Sequence, residues 1–247
     1  MRFTNYAKGL RIRAVLKDYL AKAINILVPR ICFICEEKIT EGYLCQRCLN
    51  QIEFIYPPLC PFCSNRLTDK KEKICAKCVK NRFPYEKLIC ITKYKNPVVD
   101  LIHSFKYKNY DFLVELFASL MTKHLTRIGF SPGGYDMITA VPLYKTKLRD
   151  RGYNQAGLLA QYLANYFKIC FKDDIIYATR ESSSQAKLDK ISRLENLKGA
   201  FTAREGLKNK KVILVDDIFT TGSTVKECAY ALKEKGASIT VITFSKT

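Results

Sequence analysis

Asp216 and Asp217 follow four apolar residues, Val212 to Val215, and precede Thr220, Thr221, Gly222, Ser223 and Thr224. Adjacent carboxylates accept hydrogen bonds from a sugar diol or hold a hydrated Mg²⁺ that itself meets phosphate oxygens. Facing a phosphate directly, they would repel it. The small residues after them have the opposite character. Just ahead of a helix, free backbone N–H groups and the helix dipole favour an anion. Gly222 lets the backbone approach a ligand closely, and the hydroxyls of Thr220, Ser223 and Thr224 add donors. Carboxylates for a ribose beside N–H groups for its phosphate suit a sugar phosphate. The plainer alternative is an ordinary strand-to-helix turn, where Asp-Asp and Thr-Gly pairs also occur.

A second chemistry comes from cysteine. Eight of the eleven cysteines form four Cys-x2-Cys pairs: Cys32 and Cys35, Cys45 and Cys48, Cys60 and Cys63, Cys75 and Cys78. A two-residue spacer lets two thiolates face one tetrahedral ion, and two such knuckles complete a four-cysteine site. Eight ligands therefore predict two structural Zn²⁺ sites, with no open position for catalysis. Sequential pairing, separated by Pro57-Pro58, is the preferred arrangement. Pairing of the first knuckle with the third and the second with the fourth is the alternative. Iron–sulfur binding and dithiol redox chemistry are weaker readings of the same spacing. Cys90, Cys170 and Cys228 lie in apolar surroundings and read as buried thiols.

The third candidate is cationic. Lys145, Lys147, Arg149 and Arg151 stand in a loop between a strand ending near Val141 and a helix from about Gln155 to Phe167. Cations there would hold a pyrophosphate, for which arginine's planar fork is suited; the alternative is a solvated basic loop. His103 and His124 fall on helices, and a structural or surface role is expected for each.

These groups need elements to place them. Val212 to Val215 reads as a buried strand. The helix after it carries Val225, Cys228, Ala229 and Leu232 on one face and stops at Gly236, and Ile239 to Phe244 is the next strand. Strand, loop, helix and strand in this order make a unit of a parallel sheet, where ligands bind beyond the carboxyl ends of the strands. Strands are also expected at Leu88 to Tyr94, Asp136 to Val141 and Ile175 to Ala178. Helices are expected at Pro97 to Phe105 and, capped by Asp111, from Phe112 to Met121. Arg180 to Glu205 is long and polar and reads as a mobile cover. The division expected is a helical segment at 1–28, a metal-stabilised module at 29–84 and a larger domain at 85–247. The first segment has a basic face and an apolar stripe, as a packed helix, a membrane-surface helix or a contact for another molecule would.

The whole chain of 247 residues is 48% hydrophobic, which excludes a disordered protein. No run approaches a membrane span, and the start lacks the pattern of a signal peptide. The cytoplasm is the expected compartment. The net charge of +19 favours a polyanion: nucleic acid, an anionic membrane or a small polyanionic ligand. The cysteine module is itself basic, as nucleic-acid contact or a docking role would require.

Together these segments resemble the ComF family of competence proteins, of the ComFC type. The resemblance is carried by the four cysteine pairs, by Phe105-Lys106-Tyr107, by Arg149-Asp150-Arg151-Gly152-Tyr153-Asn154-Gln155 and by Leu214 to Thr224. It implies an α/β type I phosphoribosyltransferase fold, Rossmann-like with a mostly parallel sheet, preceded by a small double zinc ribbon. Mg²⁺ and phosphoribosyl pyrophosphate (PRPP) are the implied ligands. Asp216 and Asp217 would take the ribose and metal, Thr220 to Thr224 the 5′-phosphate, Arg149 and Arg151 the pyrophosphate, and Lys106 a helping role. The implied setting is DNA uptake in natural transformation, at the cytoplasmic side of the membrane, with single-stranded DNA and a helicase-like translocase as partners. The implied activity is phosphoribosyl transfer to an unknown acceptor, or a non-catalytic DNA-binding or scaffold role in which PRPP is only sensed.

Overall fold

A computed structural model describes residues 30–69, 71–107, 112–180 and 199–247. The helix expected at 1–28, the cap at Asp111 and most of the polar segment after Arg180 lie outside these residues. The chain separates into two compact units, residues 1–51 and 52–247.

The described part of the first unit is a single zinc ribbon. A β-bridge joins Ile31 to Lys38, and a one-turn helix, α1 (Gln46–Asn50), begins at Cys45, whose sulfur accepts from the Cys48 N–H. The second unit opens with a ribbon of the same plan. It has a bridge from Leu59 to Arg66 and a short helix, α2 (Ala76–Val79), begun by Cys75. Too little apolar surface is present in either ribbon to stabilise it without metal.

The rest of the second unit is built on a five-stranded sheet. Its strands are β1 (Lys87–Lys93), β2 (Met137–Ala140), β3 (Cys170–Phe171), β6 (Lys211–Phe219) and β7 (Ser238–Lys246), in the order β1-β7-β6-β2-β3. Every neighbouring pair is parallel. Two further strands, β4 (Ile176–Ala178) and β5 (Phe201–Ala203), form a separate antiparallel pair. The helices are α3 (Val98–Tyr107), α4 (Leu113–Arg127), α5 (Lys145–Arg151), α6 (Gln155–Phe167) and α7 (Ser223–Glu234).

Both faces of the sheet are covered, so its central strands are apolar without alternation. On one face Leu88, Cys90, Val212, Leu214, Ile239 and Val241 meet Val225, Cys228, Ala229 and Leu232 of α7. Phe62 and Phe83 of the second ribbon join the same core. On the other, Phe117 of α4 stacks on Phe105 and meets Phe244 edge-on, with ring centroids 5.0 and 4.4 Å apart. No helix among the described residues is long and apolar enough to cross a membrane.

Three expectations need correction. The cation-bearing segment after β2 is not a loop but the helix α5. Cys170 is exposed, because β3 is a two-residue strand at the sheet edge. The polar segment does not continue as cover or helix to Glu205, since Phe201–Ala203 is strand β5.

His124 is structural, as expected. It is buried in α4 beside Phe54 and Tyr56, at ring-centroid distances of 5.6 and 4.9 Å. Burial, with a smaller push from the Arg127 charge, holds its imidazole down at about 4. The unfolded chain, with an ordinary histidine, takes up this proton first as pH falls. Stability is therefore unaffected above about pH 6.5 and is lost between about 6.5 and 4, by up to roughly 3 kcal/mol. Thermal unfolding from pH 7 to 4.5 should show a smaller acid loss in His124→Gln than in the natural protein. Equal losses would free His124 of this role.

Candidate functional site

The site stands at the carboxyl end of β6, the middle strand of the sheet. Val212 to Val215 are fully buried, and the strand then delivers Asp216, half-buried, and Asp217, nearly buried, to the rim. Lys106, from the last turn of α3, binds Asp217 with its Nζ 2.7 Å from Oδ2. Asp216 Oδ1 accepts the backbone N–H of Asp217 at 2.9 Å. Burial, reinforced by the charge of Asp217 and opposed by Lys106, pushes the Asp216 carboxyl up to about 8. Lys106 pairs with Asp217, the Asp216 carboxyl keeps its proton near neutral pH, and a divalent ion bound beside the two would draw that proton off. The pair fits a hydrated Mg²⁺ in its donor chemistry.

The loop after β6 is built around Gly222. Its φ is +75°, and a Cβ there would lie 2.4 Å from the ring of Phe219. Glycine is required both for the left-handed turn and for the close approach. On either side of it Thr221 Oγ1 and Ser223 Oγ are hydrogen-bonded at 2.7 Å. The turn leads into α7, whose first amides face the loop.

A cavity of about 260 Å³ opens at this rim. It brings together Lys106, Arg151, Asp216, Asp217, Thr220 and Thr224 from the residues singled out in the sequence. Thr221, Gly222 and Ser223 shape the loop without lining the cavity. Arg149 is exposed and does not line it either; in its place stands Lys147. The reason is helical: in α5, residues 147 and 151 are four apart and share a face, while 149 lies about 200° round from 147. Arg180 and Phe201, which also match the family's pattern, line the cavity too, and so does Tyr144, which sequence reasoning missed.

The run Arg151-Gly152-Tyr153-Asn154-Gln155 holds this rim together. Gly152, at φ +75°, ends α5. Tyr153 Oη donates to the carbonyl of Phe105 at 2.6 Å, and Gln155 Nε2 approaches the same oxygen at 3.5 Å. Asn154 Nδ2 donates to the carbonyl of Val141, just past β2, at 3.0 Å. Arg151 Nη1 donates to Gln155 Oε1 at 3.3 Å. Tyr153 and Gln155 are positioning residues: they fix the residue before Lys106. Tyr153→Phe should cost about 1 kcal/mol of stability, read by thermal unfolding; an unchanged midpoint would show that the turn before Lys106 needs no such tether.

The cysteines form two groups, Cys32, Cys35, Cys45 and Cys48, and Cys60, Cys63, Cys75 and Cys78, each with all sulfurs within 4.8 Å of one another. The pairing is therefore sequential, not cross-braced. Cys35 and Cys45 sulfurs are 3.5 Å apart and those of Cys63 and Cys75 3.6 Å, close to the roughly 3.8 Å edge of a tetrahedral zinc–sulfur site. Although burial opposes it, backbone hydrogen bonds hold the thiols of Cys32 and Cys60 down to about 6 and about 7. Both groups fit structural Zn²⁺.

Comparison with known proteins agrees with these two parts. Residues 23–79 match the double zinc ribbon domain family, and residues 149–246 match the phosphoribosyl transferase domain family. Competence protein F of Haemophilus influenzae is 30% identical over 207 residues, 80% of this chain and 87% of that one. DNA utilization protein YhgH of Escherichia coli is 28% identical over 217 residues, 86% of this chain and 95% of that one. Competence protein ComFC of Bacillus subtilis is 24% identical over 233 residues, 93% of this chain and 89% of that one. The α/β fold with a mostly parallel sheet is that of a type I phosphoribosyltransferase, preceded by zinc ribbons.

Proposed function

Because this chain belongs to the ComF family of competence proteins, we propose that it serves DNA uptake or utilisation by binding Mg–PRPP and transferring its phosphoribosyl group. The observation that carries this is the convergence of Lys106, Lys147, Arg151, Asp216, Asp217, Thr220 and Thr224 on one cavity at the end of β6. Cations and an acidic pair at one rim match a substrate with phosphates at both ends and a diol between.

Asp216 and Asp217 grip the ribose side and would hold Mg²⁺, which supplies charge neutralisation for the departing pyrophosphate. The loop from Thr220 to Thr224 takes the 5′-phosphate through its amides and hydroxyls. Lys106, Lys147 and Arg151 face the pyrophosphate; Arg149, pointing elsewhere, has no part. In the reaction the bond from the anomeric carbon to the pyrophosphate oxygen breaks and the oxygen keeps the electron pair. A lone pair of the acceptor forms the new bond to that carbon, and the acceptor gives up a proton. The residues' contribution is electrostatic, set in place before the charge develops. The relatives' names, competence and DNA utilization, support a role with DNA, and the net charge of +19 supports a polyanionic partner. Single-stranded DNA and a helicase-like translocase, in the cytoplasm, belong to the same proposal.

Calorimetric titration with PRPP, with and without Mg²⁺, tests the reading. Saturable, Mg²⁺-dependent binding that disappears in Asp216→Ala/Asp217→Ala is expected. A folded, zinc-loaded protein that binds no PRPP overturns it. Pyrophosphate release on addition of candidate acceptors then separates transfer from sensing.

A further inference from the structure

A second cleft, of about 430 Å³, lies in the second unit between the ribbon of Cys60 and the carboxyl ends of β1 and β7. It shares no lining residue with the Asp216 cavity. We infer that it is a separate binding site for a phosphorylated aromatic molecule of mononucleotide size.

Its walls are fixed by the sheet. Phe54 bridges Thr92 of β1, with Ile55 N–H donating to the Ile91 carbonyl and Lys93 N–H to the Glu53 carbonyl, both at 2.9 Å. Tyr94 N–H donates to the Lys246 carbonyl at 2.7 Å. The opposite wall is the Leu59–Arg66 bridge of the ribbon. The volume is that of ordinary small-molecule sites.

The chemistry of the lining is divided. Arg66, Lys93, Lys95 and Lys246 bring four cations. Glu53 alone answers two of them, its carboxylate oxygens 2.6 and 2.8 Å from Lys93 and Lys95. Lys246 has the neutral amide oxygen of Asn65, and among the described residues no carboxylate pairs with Arg66. The positive excess holds the Glu53 carboxyl at about 2, chiefly through its hydrogen bonds to Lys93 and then Lys95. Between these cations the lining is aromatic and aliphatic. Tyr56 is contacted by Arg127, which donates to its hydroxyl at 3.3 Å and lies 5.0 Å from its ring centroid.

A bare phosphate would leave the apolar lining wet. A neutral aromatic would leave the cations unanswered. A ligand with a planar apolar body and a phosphate satisfies both: the ring against Tyr56 and Tyr94, the phosphate on Arg66 and Lys246. A nucleotide offers this chemistry either free or at the end of a single strand.

The test uses the full, zinc-loaded chain carrying Asp216→Ala/Asp217→Ala, so that the first cavity is disabled. The probes are AMP, adenosine, inorganic phosphate and a 5′-phosphorylated tetranucleotide. The expected result is saturable binding of AMP or of the tetranucleotide, with adenosine and phosphate at least about tenfold weaker. Adding Arg66→Ala, or Lys246→Ala should the first fail to fold, should weaken the bound probe about tenfold at unchanged zinc content and thermal midpoint. Preference for AMP assigns a free nucleotide; preference for the tetranucleotide assigns a strand-borne one. Binding by neither, or binding indifferent to both substitutions, overturns the site. The PRPP reading is judged on the natural protein, so either can fail alone.

Discussion

Cys60→Ser should lower the thermal midpoint of the second unit by about 10 °C or more and take PRPP binding with it. The loss of one thiolate opens a four-sulfur site whose metal supplies the ribbon's folding energy, and several kcal/mol in a domain of this size corresponds to a shift of that order. The effect should spread because the ribbon is joined to the rest of its unit at many points. Phe62 and Phe83 stack with centroids 4.7 Å apart, and Lys226 of α7 sits 5.2 Å over the Phe83 ring. Tyr85 Oη donates to the Phe62 carbonyl at 2.9 Å, Ser64 Oγ to the Leu88 carbonyl at 2.7 Å, and Leu88 N–H to the Pro61 carbonyl at 2.7 Å. Helix α7 is also the helix that begins at Gly222. Cys35→Ser, in the ribbon of the first unit, should lose one zinc without shifting the main transition. Zinc content by mass spectrometry beside differential scanning calorimetry reads both. A Cys60→Ser protein with one zinc fewer and an unchanged midpoint would show that this ribbon is dispensable for the sheet.

Gly222→Ala should weaken PRPP binding by about two orders of magnitude while leaving both zinc ions bound. The left-handed conformation alone costs an alanine about 1–2 kcal/mol. The added carbon also meets the buried Phe219 ring at 2.4 Å, so either the ring or the loop must move. Phe219 is buried while Thr220 and Thr221 are exposed, so the loop has room to move, and a shift there misaligns its amides against the phosphate. The double substitution Gly222→Ala/Phe219→Leu separates the two causes. It should recover the part due to contact and keep the part due to backbone conformation. Isothermal titration gives the affinities. Normal affinity in the single variant would show that the loop is not the phosphate cradle.

What the sequence made legible follows physical scale. The cysteine knuckles and the β6-loop-α7 unit are local patterns, with ligands two residues apart or carboxylates directly after an apolar run, and both stand where expected. The sequential grouping of cysteines rests on distances between knuckles, which spacing alone left open. Arginine's planar fork favours Arg149 over Lys147 when the segment is read as a loop; in a helix the four-residue step selects Lys147 with Arg151. Tyr153 and Gln155 matched a family pattern, but their purpose lies about fifty residues away, at the carbonyl of Phe105. Phe219 gave no sign that its ring underlies Gly222. Cys170 looked buried because its neighbours are apolar, yet a two-residue edge strand leaves it open. Contacts across the fold, and the end of a sheet, have no local signature.

The order of the sheet has a consequence for synthesis. β7 lies between β1 and β6, and its partner in β1 is about 150 residues earlier, as in the Thr92 to Phe244 hydrogen bond at a separation of 152. Until β7 leaves the ribosome, β1 has no neighbour in the sheet and the Phe54 bridge can form only on an open edge. At ordinary elongation rates of about 5–20 residues per second, that interval is roughly 8 to 30 seconds. Such long-range pairing is slow to form and exposes apolar strand edges while it waits. The ribbon of Cys60 is complete before then. By taking up metal early and holding β1 through Ser64 and Pro61, it can act as an internal chaperone for the strand that is made first and paired last.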